Sequence, residues 1–308
     1  MSLVHDRAAA IAETADRIKA IGLDPFDNPP ERIAEAAAAL AALAARAELF
    51  PPRHYPSKTP GESGFSSFYR LTEDDDYRNA IYVSVCPGRF LNNHPHKHLH
   101  WTLIAGVAGV EHNVIFERED DGSVPLRGRL RRTGAVAIGA GEVHHLRPDE
   151  YHTVAYDGTE TAINIHAYGL GLDHPEASRR PGFLSPESEI YALGRPGPHR
   201  PWGVQSLSTA DIAEALNDGR PIARLAIELD DPRSDDFDLI VTDREAARPP
   251  AGFAPTSPIL LVGEEAATER AAELLARQGH PHLVRAPHDV FRAAFRAAPE
   301  GEDHVHRS

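Results

Sequence analysis

His94-Pro95-His96-Lys97-His98-Leu99-His100-Trp101 places a histidine at every second position. On an extended strand that period aims all four imidazoles at one face. Neutral nitrogen donors gathered on one wall suit a divalent transition metal. Further along, Gly141-Glu142-Val143-His144-His145-Leu146-Arg147-Pro148-Asp149-Glu150-Tyr151-His152 supplies another histidine after a Gly/Pro turn. A metal site shared between two strands of a barrel needs such a second segment.

Around these segments, residues 64–168 alternate short apolar runs with Gly, Asp and Pro, the texture of a β domain. Candidate strands cover 67–71, 80–86, 101–107, 111–118, 134–138, 143–146, 152–156 and 162–168. Eight short antiparallel strands suit a jelly-roll barrel. Ahead of them, apolar residues at helical spacing over 4–21 and 30–49 predict two helices. The second carries Ile33, Ala36, Leu40, Leu43 and Ala44, with Pro30 near its start. A Pro-rich piece at 51–60 ends this helical segment, and a Pro/Gly/Ser-rich arm spans about 174–202.

From 205 the pattern changes again. Ser208-Thr209-Ala210-Asp211 reads as a capped helix start, followed by apolar runs at 222–229, 239–242 and 259–262 and a helix over 268–278. Strands alternating with helices predict a small α/β domain with a mainly parallel sheet. The expected organisation is therefore N-terminal helices packing on the barrel (1–50), the barrel with its arm (51–203), the α/β domain (204–300) and a disordered polar tail (301–308).

With 308 residues and 41% apolar composition, the chain has material for two ordinary cores. The 32 basic residues against 46 acidic ones disfavour nucleic acid and anionic membrane as partners. No apolar run approaches the roughly 20 residues needed to span a bilayer, and no signal peptide is read at the start, so a cytoplasmic location is expected. A single cysteine, Cys86, excludes an intramolecular disulfide framework and a cysteine-based zinc cluster, so metal binding falls to histidine.

These patterns leave open which of the four clustered histidines ligate. The run His96-Lys97-His98-Leu99-His100-Trp101-Thr102-Leu103-Ile104-Ala105-Gly106-Val107-Ala108-Gly109-Val110-Glu111 resembles the signature of cysteine dioxygenase-type cupins, the thiol dioxygenases. There, His-x-His precedes an apolar strand ending in Gly. The resemblance, anchored on Trp101 and Gly109, implies ligands at His96 and His98 and a third at His152, where the family reads Pro-x-x-x-His. His94 and His100 depart from the pattern. Asn164-Ile165-His166-Ala167-Tyr168 matches the Ser-x-His-x-Tyr relay, with Asn164 in place of Ser, which makes His166 and Tyr168 the catalytic pair.

Trp101 and Thr102 occupy the region where ordinary cupins carry a fourth, glutamate ligand. The Phe68-Tyr69-Arg70-Leu71 stretch resembles the family's Tyr-Arg hairpin. It puts Arg70 in the carboxylate-binding place, with Arg78 on the next strand and Trp101 as further substrate-binding residues. Cys86 lies on a preceding strand, and no crosslink to Tyr168 is expected. The resemblance implies Fe(II), dioxygen and a small mercapto acid converted to its sulfinate. A ring-opening cupin dioxygenase and a metal-binding regulatory cupin without turnover are the alternatives.

Residues 205–298 resemble a rhodanese-like domain. Pro258-Ile259-Leu260-Leu261-Val262 takes the place of the strand before the catalytic loop. Gly263 stands where the sulfur-accepting cysteine belongs, and the acidic Glu264-Glu265 follows. The expectation is no sulfurtransferase activity and a role in packing, homodimerisation or partner binding. A generic α/β domain is the alternative.

Overall fold

Two antiparallel sheets carry the histidines. The strands are β1 (Ser67–Thr72), β2 (Arg78–Pro87), β3 (Phe90–His96), β4 (Thr102–Ala108), β5 (Glu111–Arg118), β6 (Leu130–Ile138), β7 (Val143–Leu146), β8 (Tyr151–Tyr156), β9 (Thr161–Leu170), β10 (Pro181–Phe183) and β11 (Tyr191–Leu193). One sheet runs β1-β2-β9-β4-β7 and the other β11-β10-β3-β8-β5-β6. With the strands from β2 to β9 counted as one to eight, the sheets read 1-8-3-6 and 2-7-4-5. That double Greek key is a jelly roll, the architecture that cupins share. The computed structural model describes residues 2–56, 67–194, 203–230 and 232–297. The tail at 301–308 and the end of the arm at 195–202 lie outside the described residues.

The barrel differs from the sequence expectation at β3. Residues 90–96, Phe-Leu-Asn-Asn-His-Pro-His, hold two asparagines and a proline, which strands disfavour, so propensity hides the strand. Conversely, β1 is an added edge strand rather than a member of the eight-strand core. The second helix ends at Ala44, and a single 3₁₀ turn, Ala47–Leu49, follows. The arm contributes β10 and β11 to the second sheet instead of running as a bare wrap.

Helices α1 (Leu3–Ile21) and α2 (Pro30–Ala44) precede the barrel, and Pro30 opens α2 where its missing N–H costs nothing. Ile33, Ala36, Leu40 and Leu43 of α2 share one cluster with Leu103, Ala105 and Val107 of β4 and Ile163, Ile165 and Ala167 of β9. Each large side chain in such a cluster contributes about 1.5–3 kcal/mol by leaving water. The hairpin from β4 to β5 turns at Gly109, whose φ is +72° and whose Cβ, if present, would lie 2.8 Å from Ala162 Cβ. Glycine alone fits there, which accounts for the glycine that ends the apolar strand.

The chain divides into two units, Ala9–Gly203 and a second made of Met1–Ala8 with Val204–Ser308. The second unit holds β12 (Gln205–Ser206), β13 (Ala223–Ile227), β14 (Leu239–Val241), β15 (Ile259–Val262) and β16 (Leu283–Ala286), with α3 (Thr209–Asn217), α4 (Glu265–Arg277) and α5 (His288–Ala297). Its sheet, β12-β16-β15-β13-β14, is parallel throughout. Two clusters cover its two faces: Ile212, Ala215, Phe291 and Ala294 on one, Ala267, Ala271 and Leu275 on the other. Burial on both sides explains why β15 reads as an unbroken apolar run. Ser208 and Asp211 close a reciprocal capping box at the start of α3. Helix α4 starts three residues earlier than expected, since Glu265 suits the positive end of a helix. Among the described residues no helix is long and apolar enough to cross a membrane.

Candidate metal centre

His96 ends β3 and pairs directly with His152 on β8. His98 lies in the loop that follows, before β4 begins at Thr102. The alternating-strand reading of the four histidines is thus corrected: the strand stops at His96, and His94 is exposed at the surface. The loop is held beside β10, where Gly182 pairs with His96 and Lys97 N–H donates to Pro181 O at 3.4 Å. In this arrangement one nitrogen from each of His96, His98 and His152 falls within 4.8 Å of the others.

Second contacts orient two of these rings. His96 Nδ1 lies 3.2 Å from the His94 carbonyl oxygen, and His152 Nδ1 lies 2.6 Å from Asn113 Oδ1. The Nε2 atoms of His98 and His152 approach to 3.2 Å. Burial and then the positive charge of Arg180 push the His96 pKa down to about 3. Burial, with the neighbouring imidazoles, holds His98 and His152 well below the ordinary value. All three rings are therefore neutral at pH 7, the form that ligates a metal.

The expected relay pair is beside this cluster. His166 and Tyr168 both point from β9 to the barrel interior, with Tyr168 OH 2.9 Å from His166 Nδ1. The Tyr168 ring packs against His98 and His100, with centroids 5.3 and 5.6 Å apart. Burial lowers His166 to about 3 and raises the Tyr168 phenol. His100, outside the family pattern, is buried here with Nδ1 3.1 Å from the Trp101 carbonyl oxygen, and burial lowers it to about 4. Asn164 does not hold His166 as its place in the relay motif implied; its Nδ2 donates instead to Glu111 Oε2 at 2.9 Å and to Tyr156 OH at 3.0 Å.

The expected substrate-binding residues divide. Trp101 is on the other face: it is 1% exposed in the cluster beneath α2, with its backbone N–H donating to the Pro25 carbonyl at 3.1 Å. Strand alternation explains the correction, because Trp101 precedes Thr102 as Leu103 follows it. Arg78 is half-exposed and pairs with Asp76 at 3.3 Å. Arg70 lies across from Tyr82, which lies across from His166, so its side chain starts on the site face. Its guanidinium is bound by Asp173 at 2.6 Å and approached by Glu73 at 3.9 Å. The residue that sequence reasoning missed is Arg180, whose charge is felt at His96, His98, His100, His152 and Tyr168. It precedes β10 in the arm, and only the pairing of Gly182 with His96 brings it to the site.

No family model matches the chain. No curated protein matches it either. Solved structures similar to it include an RmlC-like cupin family protein with a double-stranded β-helix fold from Methanocaldococcus jannaschii, at 7% identity and a TM-score of 0.26, covering 37% of this chain and 89% of that one. Hydroquinone 1,2-dioxygenase from Sphingomonas sp. TTNP3 is similar at 9% identity and a TM-score of 0.28, over 36% of this chain and 69% of that one. Oxalate oxidase in complex with the substrate analogue glycolate stands at 17% identity and 0.29, over 40% and 59%. Likeness of this extent carries no argument about substrate or metal.

Proposed function

We propose that the barrel is a non-haem iron(II) thiol dioxygenase that oxidises a small mercapto acid to its sulfinate with both atoms of dioxygen. The observation that carries this reading is the donor set. His96, His98 and His152 are neutral and converge, while Thr102 stands in the region of the carboxylate ligand of ordinary cupins. A ligand set without carboxylate leaves the full charge of a divalent ion to attract a thiolate. The residues fit such an ion, because His96 and His152 use Nδ1 for other contacts and keep Nε2 for it. When bound, iron(II) supplies the redox chemistry that joins dioxygen to sulfur.

The chain's own residues do the rest. His166 fixes the Tyr168 phenol at 2.9 Å, beside the His98 ring, where its oxygen meets a bound ligand. Phe68 packs edge-on against His166, with ring centroids 5.6 Å apart. The substrate carboxylate is drawn by the positive field of Arg180, which acts on His96, His98 and His152 alike. In the second unit we read a rhodanese-like domain without sulfur transfer, serving packing or partner binding. Gly263 and Glu264 alone join β15 to α4, and the Gly263 N–H is taken by the Ala286 carbonyl at 3.2 Å, so no amide cradle is built there.

Oxygen uptake by the iron(II)-loaded protein with cysteine, 3-mercaptopropionate, mercaptosuccinate and cysteamine tests the reading. Consumption is expected with a carboxylated thiol and not with cysteamine. Silence across the panel with iron firmly held would overturn it in favour of a ring-opening or regulatory cupin.

A further inference from the structure

Glu111 has no part in the chemistry above, yet it is 1% exposed inside the barrel. Three donors converge on it. Asn113 Nδ2 reaches Oε1 at 2.9 Å, and Tyr156 OH and Asn164 Nδ2 reach Oε2 at 2.5 and 2.9 Å. His166 Nε2 lies 3.9 Å from the same Oε2. Burial raises the Glu111 pKa, and the Tyr156 and Asn113 donors oppose that rise. With both asparagine amides and the Tyr156 hydroxyl turned to donate, Glu111 acts as the acceptor of all three, the role of an ionised carboxylate.

That restriction propagates. Because Asn113 must turn its Nδ2 to Glu111, its Oδ1 faces His152 Nδ1 at 2.6 Å, and the His152 proton must sit on Nδ1. Nε2 is then left as a lone pair for a metal. His166 Nε2 is buried with no hydrogen-bond partner, and the Glu111 carboxylate oxygen lies 3.9 Å from it. A lone pair there would be repelled, so the His166 proton sits on Nε2 and Nδ1 accepts from Tyr168 OH. Tyr168 in turn offers only oxygen lone pairs to whatever occupies the site.

We propose that Glu111 is a positioning residue that sets two tautomers at once: His152 as Nδ1–H through Asn113, and His166 as Nε2–H by its charge. The inference holds whichever substrate the site takes. Long-range proton–nitrogen spectra of the ¹⁵N-labelled, metal-free protein test it, with His152→Asn and His166→Asn supplying the assignments. The wild type is expected to show His152 as Nδ1–H and His166 as Nε2–H. In Glu111→Gln the amide can present donor or acceptor, so His166 becomes a tautomer mixture and cobalt(II) affinity falls by about 10-fold or more. Asn113→Leu is expected to free His152 and leave His166 unchanged. A wild-type His166 carrying its proton on Nδ1, or tautomers unmoved in both variants, would overturn the proposal. The wild-type spectrum alone decides the matter for His166 should Glu111→Gln fail to fold.

Discussion

The two faces of the five-stranded sheet divide the work of the barrel. On β9, Ile163, Ile165 and Ala167 enter the apolar cluster beneath α2, while Asn164, His166 and Tyr168 face the other way into the polar interior. The same holds for β2, with Ile81, Val83 and Val85 against Tyr82 and Ser84. One strand thus carries stability and chemistry at alternate residues, and a change on one face should leave the other's property in place.

The strongest break is expected at the interior. His152→Ala removes one of the three histidines proposed to hold the metal, and cobalt(II) titration should show a loss well beyond the roughly 10–100-fold that a change in a supporting contact costs. His94→Ala, at an exposed position, should leave affinity unchanged, and equal loss in both would refute the ligand assignment. On the opposite face, Leu40→Ala is expected to cost about 2–5 kcal/mol in denaturant unfolding while metal affinity stays intact.

A finer cut separates the two arginines that the barrel buries in part. Removing Arg180 should raise KM for a mercapto acid by roughly 10–100-fold, the loss of a charged hydrogen bond worth about 1.5–3 kcal/mol. Arg70→Ala should instead lower stability by removing the buried cation that Asp173 meets at 2.6 Å. The reverse pattern in steady-state kinetics and unfolding would return the carboxylate to Arg70.

The smallest effect is graded with pH. His96, His100 and His166 are lowered to about 3, 4 and 3 from 6.5 by burial, so the unfolded chain binds protons that the metal-free fold refuses. Stability is therefore full above pH 6.5 and falls as pH drops toward 4.5, by about 1.4 kcal/mol per unit for each such group. Glu111, raised by burial, works in the opposite sense as a single group. A flat unfolding profile over that window would show that the interior histidines are not held neutral.

Much of this division was legible in the sequence. Short apolar runs bounded by Gly, Asp and Pro marked β2, β4 and β9, and the apolar spacing from Ile33 to Leu43 marked the face of α2. The three histidines of the candidate centre were legible through the family-like run, although their strand geometry was not: β3 has the composition of a loop and stops at His96. Trp101 was misplaced because its neighbour in sequence, Thr102, is the residue that faces the interior. Arg180 and Glu111 carried no local signal. Each comes to the site through pairing across the sheets, of β10 with β3 and of β5 with β8, which no window of sequence contains.

Turning over a mercapto acid with the iron(II)-loaded protein under ¹⁸O₂ and weighing the product tests the central claim most directly. The expected product is a sulfinate with both labelled atoms on sulfur. A disulfide, or an unlabelled product with the thiol consumed, would contradict it.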